Sequence, residues 1–320
     1  MKFIQQAYKG ENQWWAYLVT IFILFFGWQF LGVIPLIGTA FFYAKDTSEF
    51  MNSANDNFTT LGIDANLYLL LVIFTFLAGL LSLLFGIKQI HKRKIVTLIT
   101  SRDKVDLSRV FFAFLIWAVI GVLMITVGYF MSPEDFIWNF KPLPFFLLVI
   151  ISFLFLPIQT SMEELLFRGY LMQGFGTWFK KSFVALLLTS VIFGLLHGLN
   201  PEVEKLGWIT MVYYIGTGLV LGIFTLMDEG TELALGFHAA NNIIAAVLVT
   251  ANWTVFQTDA LLIDTSEPSV GWEMFVPVFI LYPLVLVIFS KKYRWSNWKE
   301  KLFGSIYKPI ELNEDEFIAN

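Results

Sequence analysis

The sequence predicts an all-α fold: a polytopic transmembrane helical bundle with about eight membrane helices. Three observations carry this. Apolar residues make up 57% of the 320-residue chain and charged residues only 14%, whereas soluble domains carry about 25% charged residues. Mean hydropathy is +0.70. The apolar residues fall into runs of the length that crosses a bilayer, about 20 residues. A single soluble core has too little polar surface to cover so much apolar surface. Net charge is −4, so no basic field for nucleic acid is expected. The absence of Cys excludes disulfides, thiolate nucleophiles and thiolate metal ligands.

The first apolar run, about 16–37, starts late, is long and lacks a clear small-x-small cleavage site. It reads as a retained first membrane helix rather than a cleaved signal. Trp14, Trp15 and Tyr17 before it fit an interfacial belt, as does Trp208 later. Further spans are expected at about 65–87, 109–131, 143–160, 208–227 and 273–290. Three segments are less simple. Residues 163–178 carry Glu163, Glu164 and Arg168, and are expected to enter the membrane without fully crossing. Residues 182–199 end near His197, and residues 234–251 contain His238, Asn241 and Asn242.

Loop charges set the expected orientation. The 88–109 connection holds Lys88, Lys92, Arg93, Lys94, Arg102, Lys104 and Arg109 and reads as cytoplasmic. The 38–64 connection is acidic and 252–272 has no Lys or Arg, so both read as external. Lys291, Lys292, Arg294, Lys299 and Lys301 place the C-terminus inside. Eight full crossings with both termini cytoplasmic satisfy this pattern. The acidic segment 311–320 reads as a solvated end. Three regions follow: 1–140, N-terminal flanking transmembrane helices; 141–251, a helical core; 252–320, an external loop, the last transmembrane helix and a cytoplasmic tail.

Ionisable groups inside apolar segments need a reason, because one Asp, Lys or Arg at the bilayer centre costs roughly 2.5–3.5 kcal/mol. Three clusters stand out. In the first, Glu164 and Arg168 are i,i+4 and can pair, which leaves Glu163 for another task. Gln159, Thr160 or Ser161 is expected to cap a helix there, with both glutamates in its first turn. In the second, Phe193 and His197 share a face and Gly194 permits close helix approach. In the third, His238 and Asn242 line one face. Each cluster alone also has a structural reading: a helix start with a local ion pair, an interfacial histidine, and interhelical polar contacts. The remaining histidine, His91, lies in a basic loop and reads as surface.

Together the clusters hold an inventory for hydrolysis. A carboxylate and an imidazole polarise water for attack on a carbonyl. A second imidazole and an amide stabilise the oxyanion. Glu163, His197, His238 and Asn242 supply these groups. Zinc held by Glu163, His197 and His238 is the mechanistic rival. Neither HExxH nor HxxEH spacing is present, and metal-free water activation is the preferred reading.

These motifs resemble the CPBP family, the CAAX proteases and bacteriocin-processing enzymes related to the type II CAAX prenyl endopeptidase. EExxxR occurs as Glu163 to Arg168, FxxxH as Phe193 to His197, and HxxxN as His238 to Asn242. The resemblance covers about residues 140–250. It implies an intramembrane endopeptidase acting on a membrane-associated peptide or protein. Glu163 acts with His197 to activate water, His238 and Asn242 stabilise the oxyanion, and Glu164 and Arg168 support the first motif. His197 and His238 can meet only if the helices around them are short, tilted or broken, so an intramembrane chamber open towards the cytoplasm is expected, and the compact chain without targeting features points to a prokaryotic plasma membrane. The competing classes are a non-catalytic immunity or scaffold protein and a proton-coupled transporter. The transporter reading is disfavoured because the polar residues occupy one half of the chain only.

Overall fold

The computed structural model describes residues 2–309; the acidic segment 311–320 lies outside them. The protein is an all-α, polytopic membrane protein. Among the described residues seven helices are long and apolar enough to cross a membrane. They are α1 (Trp14–Tyr43), α2 (Ala65–Ile90), α3 (Leu107–Met131), α4 (Pro142–Phe179), α5 (Ser182–Leu199), α6 (Trp208–Asp228) and α8 (Trp272–Tyr293); the shorter apolar α7 (Glu232–Leu248) precedes the last. Shorter helices, among them Thr47–Ser53, Pro201–Leu206 and Trp298–Phe303, lie between and after these, with three short strands: β1 (Phe136–Trp138), β2 (Val249–Thr250) and β3 (Leu262–Asp264). β3 is central, antiparallel to β1 with Phe136 opposite Asp264, and parallel to β2.

Local chemistry sets the helix starts. The Asp64 carboxylate accepts from the Asn66 and Leu67 amides at the head of α2. Asp106 accepts from Ser108 N–H at the head of α3. These caps satisfy amide groups that have no partner within the helix. α4 begins with Pro142 in its first turn, where the missing N–H is no loss.

Contacts between distant segments define two faces. On one, Ser101 N–H bonds Glu229 O, Lys2 pairs with Glu300, and Trp295 Nε1 donates to Asp228. On the other, Asn66 donates to Asp259, Asn139 to Ala260 O, and Val255 N–H to Glu202. The described parts of both terminal segments therefore share a face with the 91–106 loop. The core has two main clusters. Trp117, Phe224, Phe237, Tyr282 and Phe289 join α3, α6, α7 and α8. Tyr17, Leu83, Met162, Phe167 and Phe193 join α1, α2, α4 and α5.

Several expectations are corrected. Segments 143–160 and 163–178 are one continuous 38-residue helix, α4, so 163–178 is no separate partial insertion. Gln159, Thr160 and Ser161 lie inside that helix and cap nothing; their polarity answers to tertiary partners instead. His91 is buried, not on the surface. Its Nδ1 bonds Glu11 O at 2.6 Å and its Nε2 meets the Tyr170 hydroxyl at 2.8 Å. Tyr17 is buried against His91 and Tyr170 rather than facing lipid. Trp14, Trp15 and Trp208 are exposed.

An ion network closes the terminal face. Arg102 reaches both oxygens of Glu232, at 3.3 and 3.2 Å, and Asp228 Oδ2 at 3.0 Å. Arg109 bonds the other Asp228 oxygen and lies over the Tyr293 ring at 4.1 Å. Both acids are buried. Arg102→Ala is expected to cost about 3–5 kcal/mol, because it strands buried carboxylates; thermal unfolding in detergent measures this. Burial pushes His91 down to about 4. Between the ordinary histidine value of about 6.5 and this folded value, the unfolded chain binds a proton that the fold refuses. Stability is thus expected to fall with pH through that window, by up to about 3 kcal/mol. A Tm series from pH 7 to 4.5 should show a steeper loss in the wild type than in His91→Gln.

Candidate functional site

The site forms where α4, α5, α6 and α7 meet. Pro157 lies within α4 and removes one helix hydrogen bond. After Glu164 the helix is π-wound over Leu165–Leu171, with Met172 N–H reaching back to Phe167 O. Such turns concentrate at functional positions. Gly194 lets α5 approach α6: a Cβ there would fall 2.4 Å from Ile215 Cγ1. This approach sets Phe193 against the Arg168 guanidinium at 4.2 Å from the ring centroid.

Glu164 and Arg168 pair at 2.8 Å, both fully buried. Arg168 also donates to Gly218 O at 3.3 Å, tying α4 to α6. The same Glu164 oxygen meets His238 Nδ1 at 2.8 Å, tying α4 to α7. A carboxylate already accepting from arginine accepts here too, so Nδ1–H is the donor and Nε2 is the free nitrogen. That nitrogen faces Glu163 Oε2 at 3.7 Å. Glu163 Oε1 accepts from Gln159 Nε2 at 2.8 Å, whereas Oε2 is buried without a hydrogen-bond partner. Asn242 Nδ2 donates to Gln159 Oε1 at 3.1 Å. Asn241 extends the chain, donating to Asn242 Oδ1 at 3.2 Å and accepting from Trp117 Nε1 at 3.1 Å.

Five of the six residues singled out in the sequence, Glu163, Glu164, Arg168, His238 and Asn242, thus join one polar network. His197 stands beside it. Its Nδ1 bonds the Phe193 carbonyl at 2.8 Å, and its ring stacks on Tyr214 with centroids 4.5 Å apart. The Phe193 ring links it to the network, 4.6 Å from His197 and 6.1 Å from His238. Donation from Nδ1 to a carbonyl makes His197 Nε2 its basic nitrogen.

Among the described residues no group of three or more His, Asp or Glu side chains could hold a metal ion. Gln159, Asn241, Trp117 and Tyr214 were not identified as site residues from sequence. Gln159 carried a signal, lying i−4 to Glu163 on the same helix face. Trp117 carried none, because indole N–H groups are common in apolar helices.

Residues 142–244 match the family model described as type II CAAX prenyl endopeptidase Rce1-like. Over 294 residues the chain is 26% identical to the uncharacterized protein YyaK of Bacillus subtilis (strain 168), covering 92% of this chain and 95% of that one. No solved structure matches. The matched family segment spans all six of the residues singled out in the sequence, and the buried Glu/His pairs are consistent with a catalytic site.

Arg168→Met should destabilise the protein by about 3–5 kcal/mol by leaving the buried Glu164 without its arginine. Adding Glu164→Gln should recover most of that loss. A double-mutant cycle from unfolding in detergent gives the coupling.

Proposed function

We propose that this chain is a CAAX-protease-like intramembrane endopeptidase, hydrolysing a peptide bond of a membrane-associated peptide or protein with metal-free activated water. One observation carries the proposal: the Glu163 oxygen without a hydrogen-bond partner, 3.7 Å from His238 Nε2 in a buried network. A buried polar atom of this kind calls for an explanation, and a water donating to Glu163 Oε2 supplies one. The family match over 142–244 supports the same reading.

In this mechanism Glu163 takes a proton from water, with His197 Nε2 sharing in its orientation, as the water oxygen attacks the peptide carbonyl carbon. The carbonyl becomes a tetrahedral oxyanion. Asn242 has a second amide hydrogen beside the one given to Gln159 and offers it to this oxyanion; His238, when protonated, offers Nε2–H. Glu164 holds His238 in place through Nδ1, and Arg168 holds Glu164. Collapse of the intermediate breaks the C–N bond, and the proton held by Glu163 passes to the leaving amine. The surrounding apolar bundle strengthens each of these interactions. We place the enzyme in a prokaryotic plasma membrane with both termini cytoplasmic, following the Lys- and Arg-rich loops.

Glu163→Gln keeps the size and the Gln159 contact but cannot take the proton. It should lower kcat at least 10²-fold with unchanged elution and Tm. Asn242→Leu should lower kcat by about 10²–10³-fold. Cleavage of a quenched-fluorescent peptide in proteoliposomes reads both, and exhaustive chelation should leave the wild-type rate intact. A Glu163→Gln variant that keeps its biological phenotype would support the binding-protein reading instead.

A further inference from the structure

A single file of hydrogen bonds runs from α3 across α7 to α4. Trp117 Nε1 donates to Asn241 Oδ1 at 3.1 Å, and Asn241 Nδ2 to Asn242 Oδ1 at 3.2 Å. Asn242 Nδ2 donates to Gln159 Oε1 at 3.1 Å, and Gln159 Nε2 to Glu163 Oε1 at 2.8 Å. The middle members are all primary amides. Each offers an oxygen on one side and an NH2 on the other, and a half-turn of its last torsion exchanges the two. Nothing in an amide itself chooses between these orientations.

The ends of the file do choose. An indole N–H only donates, and a carboxylate only accepts. Between Trp117 and an ionised Glu163, one orientation of the amides makes every bond. Its reversal sets the Asn241 NH2 against the indole N–H and the Gln159 carbonyl against Glu163. The Tyr213 hydroxyl also faces Asn241, but a hydroxyl both donates and accepts and so imposes no direction. Trp117 is fixed independently of the file. It is 4% exposed, stacks on Phe237 with centroids 4.1 Å apart, and meets the Tyr282 ring at 5.6 Å. It also lies outside the 142–244 segment that matches the family model.

Resting on the hydrolase reading above, we infer that Trp117 is a positioning residue for that reaction: its indole N–H orients the amide file so that an N–H, not a carbonyl, meets Glu163 Oε1. A Gln159 carbonyl in that place is satisfied only by a protonated Glu163, which cannot take a proton from water. Held the right way round, the amide supports the carboxylate and leaves Oε2 for the water. The other groups facing Glu163 are His238 of α7, at 3.7 Å, and Glu164 and Arg168 of its own helix. These belong to the other arm of the network, joined at Glu164 Oε1.

Trp117→Phe removes the donor, and Asn241→Leu removes the first amide and carries the same test should Trp117→Phe fail to fold. Phe224→Leu thins the same aromatic cluster and leaves the file intact. Cleavage of a quenched-fluorescent peptide in proteoliposomes gives kcat and KM from about pH 5.5 to about pH 8.5. In both test variants kcat should fall at least about tenfold at the acid end and recover towards the alkaline end, because a reversed file needs the proton that high pH removes. KM should stay within about twofold. The double variant should lose no more than about threefold beyond the worse single, since both cut one file. Phe224→Leu should keep the wild-type pH profile. A second readout needs no turnover. The Gln159 side-chain amide, followed by NMR in nitrogen-labelled protein and identified by its loss in Gln159→Leu, should exchange with water at least about tenfold faster in both test variants. A loss of kcat equal at all pH values, losses that multiply in the double variant, or an unchanged Gln159 exchange overturns the proposal, as does a Phe224→Leu profile matching that of Trp117→Phe. A wild type that cleaves no peptide while Gln159 exchange responds as stated upholds the orientation and counts against the hydrolase.

Discussion

The arrangement depends on one buried interaction, the Glu164–Arg168 pair inside an apolar bundle. Neither charge is tolerable there alone. Together they still have hydrogen-bonding capacity left over, and the bundle meets part of it with the Gly218 carbonyl of α6 and the His238 imidazole of α7, while Glu164 Oε2 and Arg168 Nε stay unpartnered. Three helices are therefore fixed relative to one another by the needs of two side chains. The adjacent Glu163 sits on the same rigid framework, with the pair consuming the arginine and leaving one Glu163 oxygen free.

Packing reinforces this polar centre. The aromatic cluster around Trp117, Phe224 and Phe237 holds α7 against α3, and the cluster around Tyr170 and Phe193 holds α4 against α5. Trp117 belongs to the first cluster yet donates to Asn241, so the apolar core also sets the register of the polar chain. Phe193 serves the second cluster while touching Arg168, His197 and His238 with its ring. Aromatic rings suit this role because their faces attract a guanidinium and their bulk excludes lipid.

What could be read in the sequence was local. Glu164 and Arg168 are four residues apart, so their pairing follows from helix geometry alone. The spans also followed, since bilayer thickness sets their length. What escaped depended on distant chain segments. Gln159 looks like a helix cap when only its neighbours are considered; in the fold its amide bridges Glu163 and Asn242, which are 79 positions apart. Charged residues at 163 and 164 looked like an interruption between two segments, but Arg168 on the same helix and His238 on α7 answer them and let the helix run through. His91 looked exposed because its loop is basic, yet Glu11 and Tyr170 satisfy both ring nitrogens.

The length of α4 has a consequence for the lipid. Its 38 residues rise about 57 Å at 1.5 Å each, against a hydrocarbon core of about 30 Å. An upright helix of that length would be badly mismatched. The stretch from 162 to 170 is wrapped by protein, whereas exposed Phe146, Ile150 and Leu154 lie on its earlier half. Only that earlier half presents a broad surface to acyl chains, and it is the half before Pro157. The Gln159 side of α4 is therefore the part that meets a change of membrane thickness, while the Arg168 side is held by protein. The contact from Asn242 of α7 to Gln159 lies at the border between the two halves.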